Sequence, residues 1–376
     1  MTPIRIVAKQ RFLALAAVCL LAAACDEGPT GPGGGEVPRR YAVVPIELPD
    51  GLPAAAMGPA GMNAAGQVVL GTFYLGRTFA LWSGGGVTTF AAPYTAFATG
   101  LNDVGQVVGC TGSVFGEGEQ RPLLGEAGRL WYLAGAGLER ACAHDINNDG
   151  VVVGESRGTA GSRAFVLADG RVAFVSVPGD TAAVGVAVNG PGHVAVNSSR
   201  TLRKGFYVSS LAQASLWRDG ELVPLGRLDW SPAGAGQVAD LAEFSHTAVD
   251  LNDRDEVVGT SNGSVCTPDG NSCHTRWRAF LWRNGRMTDL GSERPGDNSS
   301  AVAINRWGQV LVVVYEGNTP KPFLWSDGRL HDLNETVAGT GWRLVNVVDL
   351  NDAGQVVAIA AREGAAVGMP VRLDPV

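Results

Sequence analysis

Long apolar runs are nearly missing from this chain of 376 residues. The one unbroken apolar run of any length, Phe12 to Ala24, is too short to cross a bilayer as a helix. Positive charge is also in deficit, with 29 Lys and Arg against 36 Asp and Glu and a net charge of −7. That balance excludes the basic face a nucleic-acid partner needs. Histidine is scarce, and the five that occur (His144, His193, His246, His274, His331) share no spacing of the H-E-x-x-H kind. No C-x-x-C pair and no Walker-type phosphate loop is present, so the usual zinc and nucleotide signatures are missing.

What is present begins with a leader. Arg5, Lys9 and Arg11 form a basic start, the apolar run follows, and Leu21-Ala22-Ala23-Ala24-Cys25 resembles the bacterial lipobox. The resemblance implies a protein exported to the cell envelope and held by a lipid on Cys25, on the periplasmic or surface side of a membrane. An ordinary secretory signal cleaved nearby is the alternative. Residues 26–40 (DEGPTGPGGGEVPRR) have no apolar period and read as a flexible tether, with the folded domain occupying 41–376. Without residues 1–25 the chain has 26 basic and 36 acidic residues, a net charge of −10.

Four cysteines remain after Cys25, an even number that suggests disulfides in an exported chain. Cys266 and Cys273 bracket the turn-like TPDGNS and are the first expected pair; Cys110 with Cys142 follows by elimination.

Two short motifs alternate along the body. The first, an apolar residue, Asn, a Gly-containing turn and a β-branched run, is clearest in LNDVGQVVG from Leu101. It recurs from Met62, Ile146, Leu251, Ile304 and Leu350, with a degenerate copy from Val188. The second, an apolar-aromatic strand closed by a tight turn, is clearest in RAFLWRNG from Arg278, and related forms start at Arg77, Arg163, Ala214 and Lys321. Valine-rich and Phe-Leu-Trp runs favour strands, and Asp-Gly or Asn-Gly between them favours the two-residue hairpin turn. Four short strands per unit and no helix predict an all-β fold, a β-propeller of seven four-stranded blades.

The alternation of an IN-x-x-GQVVG element with an AFLW-x-x-G element resembles the HAF repeat, a probable extracellular repeat family of bacteria. Arg-Ala-Phe, Lys-Pro-Phe or Arg-Thr-Phe stands here in place of that family's usual His-Ala-Phe. The resemblance implies an extracytoplasmic location and brings no catalytic residues with it.

Spacing of the copies is uneven. Motif asparagines Asn63, Asn102, Asn147, Asn189, Asn252, Asn305 and Asn351 lie 39, 45, 42, 63, 53 and 46 residues apart. The extra length falls at Arg203 to Tyr207, around Trp230, and at Thr260 to Trp277, and insertions in repeat proteins map to loops that carry binding. Phe206, Tyr207, Trp230, His274, Arg276 and Trp277 are therefore the candidate binding residues, for a protein or glycan partner. Trp82, Trp217, Trp282 and Trp325 keep a fixed place in the repeat and read as packing between blades.

Two patterns suggest chemistry. Gly154-Glu155-Ser156-Arg157-Gly158 matches the nucleophile elbow of hydrolases, but no helix follows it, so a structural role is expected. Asp145, Asn147 and Asp149 alternate as in calcium loops, while sister copies such as Asn63-Ala64-Ala65-Gly66 show a turn with few carboxylates in the same place. Turn geometry explains the pattern, with calcium as the alternative and no other cofactor expected. A non-catalytic binding propeller is the leading expectation. An enzyme whose residues converge from several blades, with Asp240, Glu243, His246, His274 and Arg276 the set to inspect, is the second, and an envelope spacer the third.

Overall fold

The computed structural model describes residues 35–376 apart from 50, 51, 53–56, 73–75, 113–119, 136, 160, 205, 206, 229–244, 267–272, 292–296 and 318. The lipobox, Cys25 and residues 26–34 of the expected tether lie outside the described residues, as do Phe206, Trp230, Asp240 and Glu243.

The unit at 298–332 shows how sequence becomes sheet. Its first strand, Asn298–Ile304, alternates half-buried and buried positions; its second, Val310–Glu316, opens with five consecutive buried residues, VLVVV. That is the pattern of a strand covered on both faces. Thr319–Ser326 follows, and the four-residue strand Arg329–Asp332 ends the meander with no fully buried position. Asp327 and Gly328 both have positive φ, 50° and 81°, the primed turn that matches strand twist. Asp169, Asp219 and Asn284 take the same conformation ahead of glycine, and at 127–128 an alanine does.

Five sheets contain four strands each, and an eight-stranded one consists of two such meanders joined through a single parallel contact, Ser162 opposite Ala182. In chain order the units occupy 57–91, 96–132, 141–175, 182–224, 245–289, 298–332 and 342–375, numbered 1 to 7 below. The first strand of each unit touches the first strand of the next, and Trp342–Leu350 of unit 7 returns to Met57–Met62 of unit 1. Unit 7 takes its fourth strand from the other end of the chain: Tyr41–Pro45 pairs antiparallel with Met369–Pro375, Tyr41 opposite Pro375. So the last blade mixes both ends, a closure the sequence left open.

Core residues lie between units as much as within them. Trp282 of unit 5 clusters with Leu216 of unit 4, and Trp82 of unit 1 with Val357 of unit 7. Trp217 and Trp325 are half-buried against the same kind of seam. The indole N–H of Trp282 finds no partner among the described residues, contrary to the rule that buried indoles are bonded; this ring is held by apolar packing.

The structure departs from expectation in three places. A single helical turn, Leu333–Thr336, stands between units 6 and 7 because Asp332 accepts from the Asn334 amide and caps it. Residues at the end of the expected tether are laid on the ring: Gln309 donates to the carbonyls of Gly35 and Glu36, and Val37 packs against the core of units 6 and 7. Finally, the stretch from Thr260 to Trp277 is mostly strand, since Val257–Cys266 and Cys273–Arg283 continue their pairing outward.

Candidate functional site: the two ends of the ring

An antiparallel meander puts the turn after the first strand and the turn after the third at one end, and the hairpin between the second and third at the other. The motif asparagines occupy the first end. Each is buried and accepts, through Oδ1, the backbone N–H of the residue four positions on, as Asn252 does from Glu256 and Asn351 from Gln355. Each also donates from Nδ2 to the backbone carbonyl of the next unit's asparagine. Asn63 donates to Asn102, Asn102 to Asn147, Asn147 to Asn189, Asn189 to Asn252, Asn252 to Asn305, Asn305 to Asn351, and Asn351 back to Asn63. The distances run from 2.9 Å at Asn147 to 3.4 Å at Asn305. The job needs an acceptor and a donor on one short side chain, which ionised Asp and the longer Gln do not offer at this reach. The seven-membered chain is closed.

A second bridge crosses every seam, and it comes in two forms. Where the residue after the motif asparagine is Asp or Asn, its side chain accepts the backbone N–H of the residue after the preceding unit's asparagine. Asp103 takes Ala64, Asn148 takes Asp103, Asp253 takes Gly190 and Asp352 takes Arg306. In units 4, 6 and 1 that position is Gly190, Arg306 or Ala64, and an aspartate two residues before the preceding unit's asparagine takes over. Asp145 accepts from the Val188 amide, Asp250 from Ile304 and Asp349 from Met62, at 2.6 to 2.8 Å. The other oxygen of each takes the amide of the following residue in its own unit.

A bulge in every first strand, for example between Ala248 and Asp250, lies just ahead of that axial position. Its occupants around the ring are Gly61, Gly100, Asp145, Ala187, Asp250, Ala303 and Asp349. The three aspartates are half-buried. Burial drives the acid form, raising Asp145 and Asp349 to about 7 and Asp250 to about 6, against the opposing effect of the two amides each one accepts. The axial mouth above them is a cavity of about 250 Å³ whose lining includes Asp103, Asp145, Asp253 and Asp352.

The residues of the alternative calcium reading divide among these tasks. Asp145 turns to the axis, the Asn147 oxygen is taken by the Asp149 and Val151 amides, and the Asp149 side chain is exposed. No group of three or more metal-ligating side chains is placed together among the described residues. Ser156 donates to the Gly137 carbonyl from within the strand Val152–Gly158, as a structural residue does. His246 is buried against Ser261, with burial, helped by Arg227, pulling its imidazole down to about 4. Arg276 lies two strands away, opposite Gly263.

At the opposite end the units differ in how far their hairpins reach. Two neighbouring hairpins overshoot their sheets: Val194–Lys204 with Tyr207–Arg218 in unit 4, and Val257–Cys266 with Cys273–Arg283 in unit 5. Their outer strands, Glu221–Pro224 and Arg286–Asp289, cover only the ring-proximal part. The two arms are stitched together through Ser245, whose hydroxyl accepts from the Ala212 amide and whose own amide donates to Asn262. Trp277 stands 44% exposed on this arm, with its backbone N–H held by Asn298. Tyr207 and His274 lie on the same hairpins by backbone register, opposite Lys204 and Val265.

Cys110 and Cys142 form the expected disulfide, joining unit 2 to unit 3 with their Cα atoms 4.9 Å apart. Cys266 and Cys273 sit directly opposite each other in register, and their side chains lie outside the described residues. A groove of about 350 Å³, lined by Arg163, Asp180 and Thr181 among others, separates units 3 and 4.

No family model and no curated protein matches the chain. Among solved structures it is similar to the acylaminoacyl peptidase of Pyrococcus horikoshii, at 12% identity and a TM-score of 0.49, over 81% of this chain and 48% of that one. It is also similar to YCF48 bound to D1 peptide, at 10% identity and 0.47 over 91% and 99%. TolB from Acinetobacter baumannii aligns at 12% identity and 0.41 over 75% and 64%. The chain spans about half the length of the peptidase. Independently of these likenesses, four-stranded antiparallel meanders, a closed chain of asparagines and a terminal strand completing the last sheet make the described body a β-propeller.

Proposed function

We propose that this chain is a lipid-anchored, seven-bladed propeller of the HAF repeat type in a bacterial cell envelope, and that it binds a protein or glycan partner without transforming it. The observation that carries the reading is the pair of stitched hairpins of units 4 and 5, which overshoot the repeat at one end and hold Trp277 half in solvent. A rigid, strand-built platform with an exposed aromatic loses little freedom on binding, and such residues dominate interface energetics. At the other end the polar groups already serve the seams.

The test is an array of envelope glycans and surface proteins probed with the folded protein. Trp277→Ala should weaken the captured ligand by about tenfold or more and leave the urea midpoint unchanged. A folded protein that binds nothing on the array, or a ligand indifferent to Trp277, Trp230 and Arg276, overturns the site. The anchor is tested separately: Cys25→Ser should abolish incorporation of labelled fatty acid and release the protein from membranes.

A further inference from the structure

Both ends of the described chain lie at the turn end of the ring. Val356–Arg362 leaves its asparagine turn, Met369–Pro375 returns to the same end, and Tyr41 stands opposite Pro375 there. The Val376 amide donates to the Arg40 carbonyl, and the Tyr41 hydroxyl to the carbonyl of Gly354 in the unit 7 turn. Traced back from Tyr41, the chain crosses this face toward unit 6. A Cβ at Gly354 would lie 3.8 Å from Pro38, Val37 packs on the core of units 6 and 7, and the Gln309 side chain holds the carbonyls of Gly35 and Glu36.

That path limits what an anchor upstream can do. Ten peptide steps separate Cys25 from Gly35, and fully extended they reach about 36 Å at most. The ring is nearly as deep beside the long hairpins: the ten residues Val257–Cys266 rise about 3.3 Å each, about 30 Å from the turn end to the tip. With the hairpins toward the lipid, the chain between Cys25 and Gly35 would have to be drawn almost straight past the whole ring. With the turn end toward the lipid, a fraction of its reach is enough. Drawing a chain straight costs conformational entropy, so the second arrangement is favoured.

We propose that the protein stands on its anchoring membrane with the turn end toward the lipid and the stitched hairpins of units 4 and 5 pointing away. Its partner is then a protein or glycan met from the aqueous side, and not a lipid of the same bilayer. This rests on the anchor at Cys25 proposed above. The two ends divide the work: the end whose polar groups serve the seams faces the membrane, and the end that holds Trp277 half in solvent faces what the protein meets.

The experiment uses the full lipidated chain in phospholipid vesicles that contain acceptor-labelled lipid, with a donor fluorophore on one non-natural residue at a time. One pair of positions lies in unit 7: Val376 at the turn end, and Val367 in the hairpin between Arg362 and Met369 at the other end. A second pair lies in units 2 and 3: Val104 in the turn after Asn102, and Thr159 in the hairpin between Gly158 and Gly161. All four are exposed, so a label there leaves the fold intact. Energy transfer should be several-fold stronger from 376 than from 367, and from 104 than from 159. Equal transfer within both pairs, stronger transfer from 367 and 159, or a ranking by unit instead of by end overturns the orientation and leaves the anchor standing. No transfer from any position, as expected of Cys25→Ser, overturns the anchor and the orientation with it.

Discussion

At the turn end of the ring the seven units are nearly interchangeable; at the overhang end the paired hairpins differ widely in length. The difference lies in what each end must satisfy. Every turn-end asparagine has to complete hydrogen bonds in its own unit and in the next, so one residue type fits all seven positions. The hairpins between second and third strands meet no such demand, and their length is free: unit 1 pairs three residues of its second strand with its third, unit 4 eleven. Closure fixes one end and leaves the other to vary.

Substitutions can break that contrast, and the largest effect is expected at the turn end. Asn351→Ala removes four hydrogen bonds around one buried side chain and should cost about 3 kcal/mol, read as a lower urea midpoint with ligand affinity in the folded fraction unchanged. Reducing the Cys110–Cys142 bridge, which spans 32 residues and staples two units, should cost a similar amount, about 3 kcal/mol, seen as a lower Tm in reductant that C110A/C142A reproduces. Tyr41→Phe deletes the hydroxyl that donates to the Gly354 carbonyl at 3.0 Å and should cost about 1 kcal/mol, measured by the same unfolding curves. Ala127→Asn, at the one hairpin turn where alanine takes positive φ, should raise stability by roughly 0.5 to 1 kcal/mol. Trp277→Ala on the overhang should stay within about 0.5 kcal/mol of wild type, and a larger loss would show that this end also supports the ring.

The bridging aspartates show where sequence reading stopped. Asp145-Ile-Asn, Asp250-Leu-Asn and Asp349-Leu-Asn are three copies of one tripeptide, visible in the chain as it stands. Read singly, the first looked like part of a calcium loop; read as a set, they mark the units whose successors have Gly190, Arg306 or Ala64 after the asparagine. Trp307, 37% exposed beside Arg306 at the turn end, was likewise hidden inside a motif copy. The exposure of Trp277, by contrast, agrees with its place outside the repeat.

By itself the sequence determined the strands, the primed turns, the unit length and the asparagine at each repeat, because these depend on residues within a few positions of one another. The Cys110–Cys142 pairing could also be named in advance, by elimination once Cys266 was set against Cys273 across its short turn. Only the tertiary structure decided that Tyr41–Pro45 completes the last sheet, that seams are bridged in two complementary ways, and that an alternating set of acids stands on the axis. Each of these joins residues far apart in the chain, as Tyr41 pairs with Pro375 at its other end. A bond of that kind depends on the bulge, the register and the closure of the ring together, which no local pattern encodes.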